Sequence, residues 1–378
     1  MSIEESKAIK SCKAQQPPCC LRIFDDRYII LGTYDLDKPT GIRTGSVEVY
    51  DNELQLLKTY KTYGAILDLK LSPFDPTLMA TAHSTGNITL WRIRPSPDDA
   101  AITLDEISNL QVFESDNLIT SLHFSPLRPE IVVVTTTSGE VKAVELAYET
   151  EVFSSEHISA HYANVERQSC EVQGQVVSYC KSKGTDFLQE HSLESWTAEF
   201  GTLSPFENVL FSGGDDSTII AHDLRTGNSV WSNSRIHEAG LVAIKCSTPT
   251  FRSHMPTSII TGSYDDKIRS LELRMMGTSI YPGINVPVLN SADCNLGGGV
   301  WRFVESPKNS SSPSHNDLLV CCMYNGSKIL SVSGDQFKTT HFIKNGHDSM
   351  CYGGDWGRNF IGTCSFYDKT VQLWTENP

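Results

Sequence analysis

The chain has 378 residues, with 31 Lys and Arg against 45 Asp and Glu and a formal net charge of −14 at pH 7. That balance, with no Lys/Arg run to override it, argues against direct nucleic-acid binding and favours a cationic partner or substrate. No apolar stretch is long enough to span a membrane and the N-terminal MSIEESKAIKSC is no secretory signal, so the expected location is the cytosol. The 11 Cys show no framework spacing and no Cys-x-x-Cys pair, so reduced thiols are expected, with no metal and no organic cofactor.

In chain order, one phrase recurs seven times: an apolar-alternating run, a turn, a second run closed by small residues, and a third run ending in an aromatic or apolar residue. The period of roughly 40 residues, with room for a fourth run in each connection, predicts an all-β, seven-bladed β-propeller. The repeats begin near residues 17, 62, 115, 191, 237, 295 and 347, so residues 1–378 are expected to form one domain. The clearest copies run from Tyr63 to Trp91, from Asn117 to Leu146 and from His237 to Leu273. Between the third and fourth copies, about 148–190 is longer than a blade needs; part of it is expected to supply the third blade's outer strand. The Ser-rich stretch from Lys308 to Asp317 reads as a solvated hairpin tip. The chain stops soon after Trp374, which leaves the last blade without an outermost strand. Residues near Ser6 to Lys13 are predicted to fill that place and close the ring, because an open sheet edge is a liability.

In such a ring, the loops leading into the inner strands and the turns between second and third strands share one face around the central channel. A common register puts Thr62, Ser115, Glu194, His237, Leu296 and His347 at equivalent loop positions. Just beyond them, at the mouth, come Tyr63, Asp116, Asn117, Trp196, Glu238, Gly298 and Ser349. The structural reading of His237 with Asp265, and of His347 with Asp368, is a hydrogen bond tying loop to turn. Trp196 and Trp301 are bulkier than repeat packing requires, and Gly297 to Gly299 lower the wall beside them. His83 stands where a small residue is expected, with no Asp in its own turn. On the residues alone, a binding scaffold with an aromatic and acidic mouth is favoured.

The strings ILGTYDL, GAILDLKLSP with TAHSTGNITLW, SGGDDS, HEAGLVAIKC with TGSYDDKIR, GGGVWRF, and HDSMCYGGDW with GTCSFYDKTVQLW resemble the WD-repeat diphthine methyl esterases of fungal type. The resemblance implies a monomeric enzyme of diphthamide biosynthesis. Its partner would be translation elongation factor two, on which it hydrolyses the methyl ester of a modified histidine to give diphthine and methanol. Diphthine carries a trimethylammonium group, so Trp196, Trp301 and Tyr63, with Glu238 or Asp116, are expected to cradle the cation, with Asn117 also binding substrate and the ester carbonyl near Gly298 and Ser349. Two routes to hydrolysis remain open: Ser349 as nucleophile with His347 and Asp348, or a water activated by His83 or Glu238 with the Gly297 to Gly299 N–H groups as donors. A non-catalytic adaptor is the competing class. Asp223-Leu224-Arg225 and Glu272-Leu273-Arg274 resemble an ending by which some propellers dock ubiquitin-ligase linkers, although His222 and Leu271 replace its Trp.

Overall fold

The computed structural model describes residues 4–95, 101–151, 168–172, 175–273, 289–311, 316–334 and 336–376. Seven antiparallel sheets follow one another along the chain, and their inner strands touch in a closed circuit. The seven-bladed propeller expected from the repeats is the fold. The ring closes as expected, with Ala8–Lys13 pairing antiparallel to Thr370–Trp374 as the fourth strand of the last blade. Part of the excursion after Leu146 is the third blade's outer strand, Gln175–Asp186 paired with Val141–Glu151, and Gln168–Val172 adds a fifth strand beyond it. Residues 152–167 and 173–174 lie outside the described residues.

Burial explains the sequence pattern. Second strands such as Tyr28–Thr33 and Leu78–His83 are buried along their whole length, because each is covered by blades on both faces; hence the unbroken apolar runs. The outer strand Leu56–Lys61 is mostly solvent-exposed and correspondingly polar. Inner strands follow a third pattern. Their second and fifth residues are the ones that leave the blade and face the channel, as the lining of its cavities shows.

This periodicity layers the channel. Second positions contribute Cys19, Leu67, Thr120, Trp196, Val242 and Tyr352, an apolar and aromatic tier. Fifth positions contribute Arg22, Lys70, His123, Glu199, Lys245 and Asp355, a charged tier. In the charged tier Lys245 bridges Glu199 at 3.1 Å and Glu305 at 2.9 Å, while Lys70 pairs with Asp68 at 3.0 Å. Against the cost of burial, Lys70 and Arg302 hold the Asp68 carboxyl well below the usual carboxylate range. Carboxylates also stitch blade to blade: Leu122 N donates to Asp68 at 3.1 Å and Ile23 N to Asp355 at 2.7 Å. The channel is therefore a cup with a salt-bridged floor.

The expected His–Asp ties are corrected in two blades. His237 Nε2 bonds Thr261 Oγ1 at 2.9 Å; His347 bonds Ser365 Oγ at 2.8 Å and Thr363 Oγ1 at 2.9 Å. Each ring lies along its second strand, and the Asp reaches past it to the main chain, with Glu238 N donating to Asp265 and Asp348 N to Asp368. A direct His–Asp contact forms in the fourth blade instead, where His191 Nδ1 is 3.0 Å from Asp216 Oδ1. The loop register had put Glu194 in that place.

Candidate functional site

The apolar tier opens into a cavity of about 210 Å³ on the face carrying the loops and turns. Its walls are rings. Trp301 is the hub, with ring centroids 5.6 Å from Trp196, 5.9 Å from Tyr264 and 4.8 Å from Tyr352. Phe366 continues the wall at 5.5 Å from Tyr352 and 6.1 Å from Tyr34. Each ring arrives by a rule of the fold. Trp196 and Tyr352 are second residues of inner strands, Trp301 directly precedes one, and Tyr34, Tyr264 and Phe366 directly follow second strands, with Tyr367 next after Phe366.

One carboxylate stands against this wall. Trp196 Nε1 donates to Asp215 Oδ1 at 2.9 Å. A Cβ on Gly240 would lie 2.5 Å from that oxygen and 3.0 Å from the Tyr264 ring, so the missing side chain lets Asp215 and Tyr264 approach. Burial raises the Asp215 pKa, with Glu194 and Asp216 adding to the rise. Burial also pushes the Tyr264 and Tyr352 phenols and the Cys19 thiol upward, so all three stay neutral at pH 7. Cys19 is consequently no thiolate nucleophile.

Of the residues expected to bind substrate or catalyse, Trp196 and Trp301 line the cup and the others do not, while the turns after the second strands bring Tyr34, Tyr264 and Tyr367 to it. Tyr63 is exposed and donates its hydroxyl to Glu106 at 3.2 Å. Asn117 is spent on Ser138 and Glu140, both at 2.8 Å. Gly298 serves close packing, since a Cβ there would stand 2.2 Å from the Cys322 carbonyl oxygen. Glu238 is largely exposed and pairs with Lys267 at 3.2 Å. His83 is fully buried, bonded through Nε2 to Thr81 Oγ1 at 2.8 Å, and Trp91 Nε1 donates to the same hydroxyl at 2.9 Å. Burial brings its pKa down to about 4, so it is a neutral strut. Ser349 and His347 are not brought together: Ser349 Oγ accepts from Tyr367 N at 3.1 Å, and both His347 ring nitrogens are taken by Ser365 and Thr363. Adjacency in sequence gave these two different partners.

Two other hollows, of about 620 and 230 Å³, lie at the Ser-Pro end of the blades. Their Lys308 and Lys245 are already paired with Glu376 and with Glu199 and Glu305, and neither hollow has an aromatic cage. Among the described residues no group of His, Cys, Asp and Glu has the arrangement of a metal site, and no helix is long and apolar enough to cross a membrane. Arg225 of the adaptor-like ending folds onto Asp223 at 2.9 and 2.6 Å; Arg274 lies outside the described residues.

No family model matches the chain. It is 54% identical to the diphthine methyltransferase of Saccharomyces cerevisiae over 99% of both chains. It is 30% identical to that of Schizosaccharomyces pombe, covering 94% of this chain and 92% of the relative. With the Homo sapiens protein of the same name it shares 26% identity over 86% of this chain and 68% of the relative. Among solved structures, a chain of the mitotic checkpoint complex superposes with a TM-score of 0.64 over 99% of this chain and 92% of its own, at 12% identity. That likeness concerns the fold alone.

Proposed function

The chain belongs to the diphthine methyltransferase family, and from that membership we propose that it acts on methylated diphthine of translation elongation factor two, hydrolysing the methyl ester to diphthine and methanol. The observation that carries this reading is the aromatic cup with Asp215 at its wall. A quaternary ammonium offers no hydrogen-bond donor, so it is recognised by ring faces and a nearby negative charge, and Trp196, Trp301, Tyr264, Tyr352 and Phe366 supply the faces. In diphthine the carbon bearing the ammonium also bears the ester. Holding the cation therefore fixes the scissile carbonyl at the cup, converting part of the barrier into binding.

Water is the nucleophile in this reading, because the geometry gives Ser349 no base. The reaction runs in the cytosol on a monomer, without metal or organic cofactor and without nucleic-acid contact. A second reading, methyl transfer, has the relatives' name in its favour. One experiment separates the two. The purified chain is incubated with elongation factor carrying methylated diphthine in isotopically labelled water, and the modified peptide is followed by mass. Loss of one CH2, release of methanol and label in the carboxylate support hydrolysis. A mass gain seen only with an added methyl donor on unmethylated substrate would overturn it.

A further inference from the structure

We propose that the floor of the cup is a second recognition element, in which the Arg302 guanidinium binds the carboxyl end of the ligand and makes the site specific for a betaine: a quaternary ammonium with an ester or carboxylate on the adjoining carbon. The inference rests on the reading of the cup as a quaternary-ammonium site and says what lies beneath it.

Arg302 begins the sixth inner strand, directly after the hub tryptophan, and its guanidinium carbon is 4.6 Å from the Trp301 ring centroid. Nη1 donates to the carbonyl oxygens of Val242 and Trp301, both at 3.2 Å, which fixes the head group. Nε and Nη2 have no hydrogen-bond partner among the described residues, and no carboxylate pairs with Arg302. Asp68, on the wall of the same hollow, feels the Arg302 charge without bonding to it and is held by Lys70 and two main-chain N–H groups, and Asp355 accepts from Ile23. Arg302 lines a hollow of about 20 Å³ beneath the cup, and Cys19 and Tyr352 form walls of both spaces. A hollow of that size takes a single water or a single carboxyl oxygen.

A lone ammonium in the cup would face this guanidinium across a low-dielectric space and be repelled. An ester carbonyl or carboxylate between the two cations reverses the sign, because the guanidinium is a fork of donors matched to carboxyl oxygens. The same placement serves the reaction. As water adds to the carbonyl carbon, the C=O π pair moves onto oxygen, and Arg302 donates to the oxyanion that forms. The oxyanion then collapses, the bond from carbon to methoxy oxygen breaks, and methoxide leaves as methanol with one proton of the added water, while the other proton passes to solvent and leaves a carboxylate. The carboxylate stays on the guanidinium, which keeps all its protons.

The test uses calorimetric titration of the full-length protein with tetramethylammonium and with glycine betaine, on wild type, Arg302→Met and Arg302→Lys, with thermal melting to confirm folding. Expected is betaine binding about tenfold or more tighter than tetramethylammonium, a preference erased in Arg302→Met and partly kept in Arg302→Lys. Equal binding of the two probes by wild type, or an Arg302→Met that weakens both alike, overturns the proposal. If Arg302→Met does not fold, the wild-type ranking and Arg302→Lys decide. Betaine binding that depends on Arg302, with tetramethylammonium failing to bind wild type and Arg302→Met alike, keeps the guanidinium contact and removes the cage reading; failure of both probes on wild type and on Arg302→Met removes both.

Discussion

A tryptophan whose indole N–H is held by a carboxylate presents an electron-rich face, and the Trp196–Asp215 pair builds that arrangement into the cup wall. Cation–π attraction in a desolvated site is worth about 0.5–2 kcal/mol, so Trp196→Leu should weaken tetramethylammonium binding by roughly two- to thirtyfold, read by titration. Trp196→Phe, which keeps a ring and loses the N–H, should fall between. Asp215 adds a pH dependence with a definite sign. Its pKa is raised, mainly by burial, so the carboxylate is neutralised at a higher pH than an ordinary Asp. Cation affinity should drop as pH falls through that raised pKa, and Asp215→Asn should bind weakly and with a flat profile. The ionised form of a raised acid also costs folding stability above its pKa, so Asp215→Asn should melt no lower than wild type at neutral pH. His83 predicts the opposite division of effects. Its removal leaves the Thr81 and Trp91 ladder short of a partner, costing roughly 1–3 kcal/mol in melting experiments, with the cup untouched in the molecules that fold. Ser349→Ala should keep near-normal turnover. A loss of several powers of ten there would restore the serine route.

At the scale of elements, the strand Ala8–Lys13 holds the ring shut from the far end of the sequence, and its pairing with Thr370–Trp374 joins the first and last described strands in one sheet. Each ladder hydrogen bond is worth about 0.5–1.5 kcal/mol net, so deleting Met1 to Lys13 should lower the melting temperature by several degrees. An unchanged melting temperature would mean that the seventh blade does not depend on this strand. This closure was legible from counting, because six blades had four runs and the last had three. The fifth strand of the third blade was not, since pairing and register among the runs after Leu146 depend on neighbours that sequence order does not name. The site was half legible for a related reason. Trp196 and Trp301 stood out by bulk, but the loop register was counted back from the Ser that follows each inner strand, and in the fourth blade Gly201, Thr202 and Leu203 intervene between the strand and Ser204. That misalignment put Glu194 in place of His191. Aligning the inner strands themselves would have placed Tyr352 beside Trp196, both second residues of their strands.

For the whole molecule, the cup and the charge act at different ranges. The net charge of −14 is spread over the surface, and the face around the cup exposes Tyr63, Tyr324 and Tyr367 together with carboxylates such as Glu238. On the proposed function, a protein substrate bearing a cationic modified histidine would meet that outer field first and the rings only on docking. Surface attraction is screened with a Debye length of about 10 Å at 0.1 M salt, whereas contacts inside a desolvated cavity are screened much less. Salt should therefore separate the two contributions. Between about 0.05 and 0.5 M NaCl, affinity for the modified elongation factor should fall severalfold, mainly through slower association, while affinity for a small betaine probe should change little. Equal salt dependence of the two ligands would mean that the acidic face contributes nothing to docking and that recognition is confined to the cup.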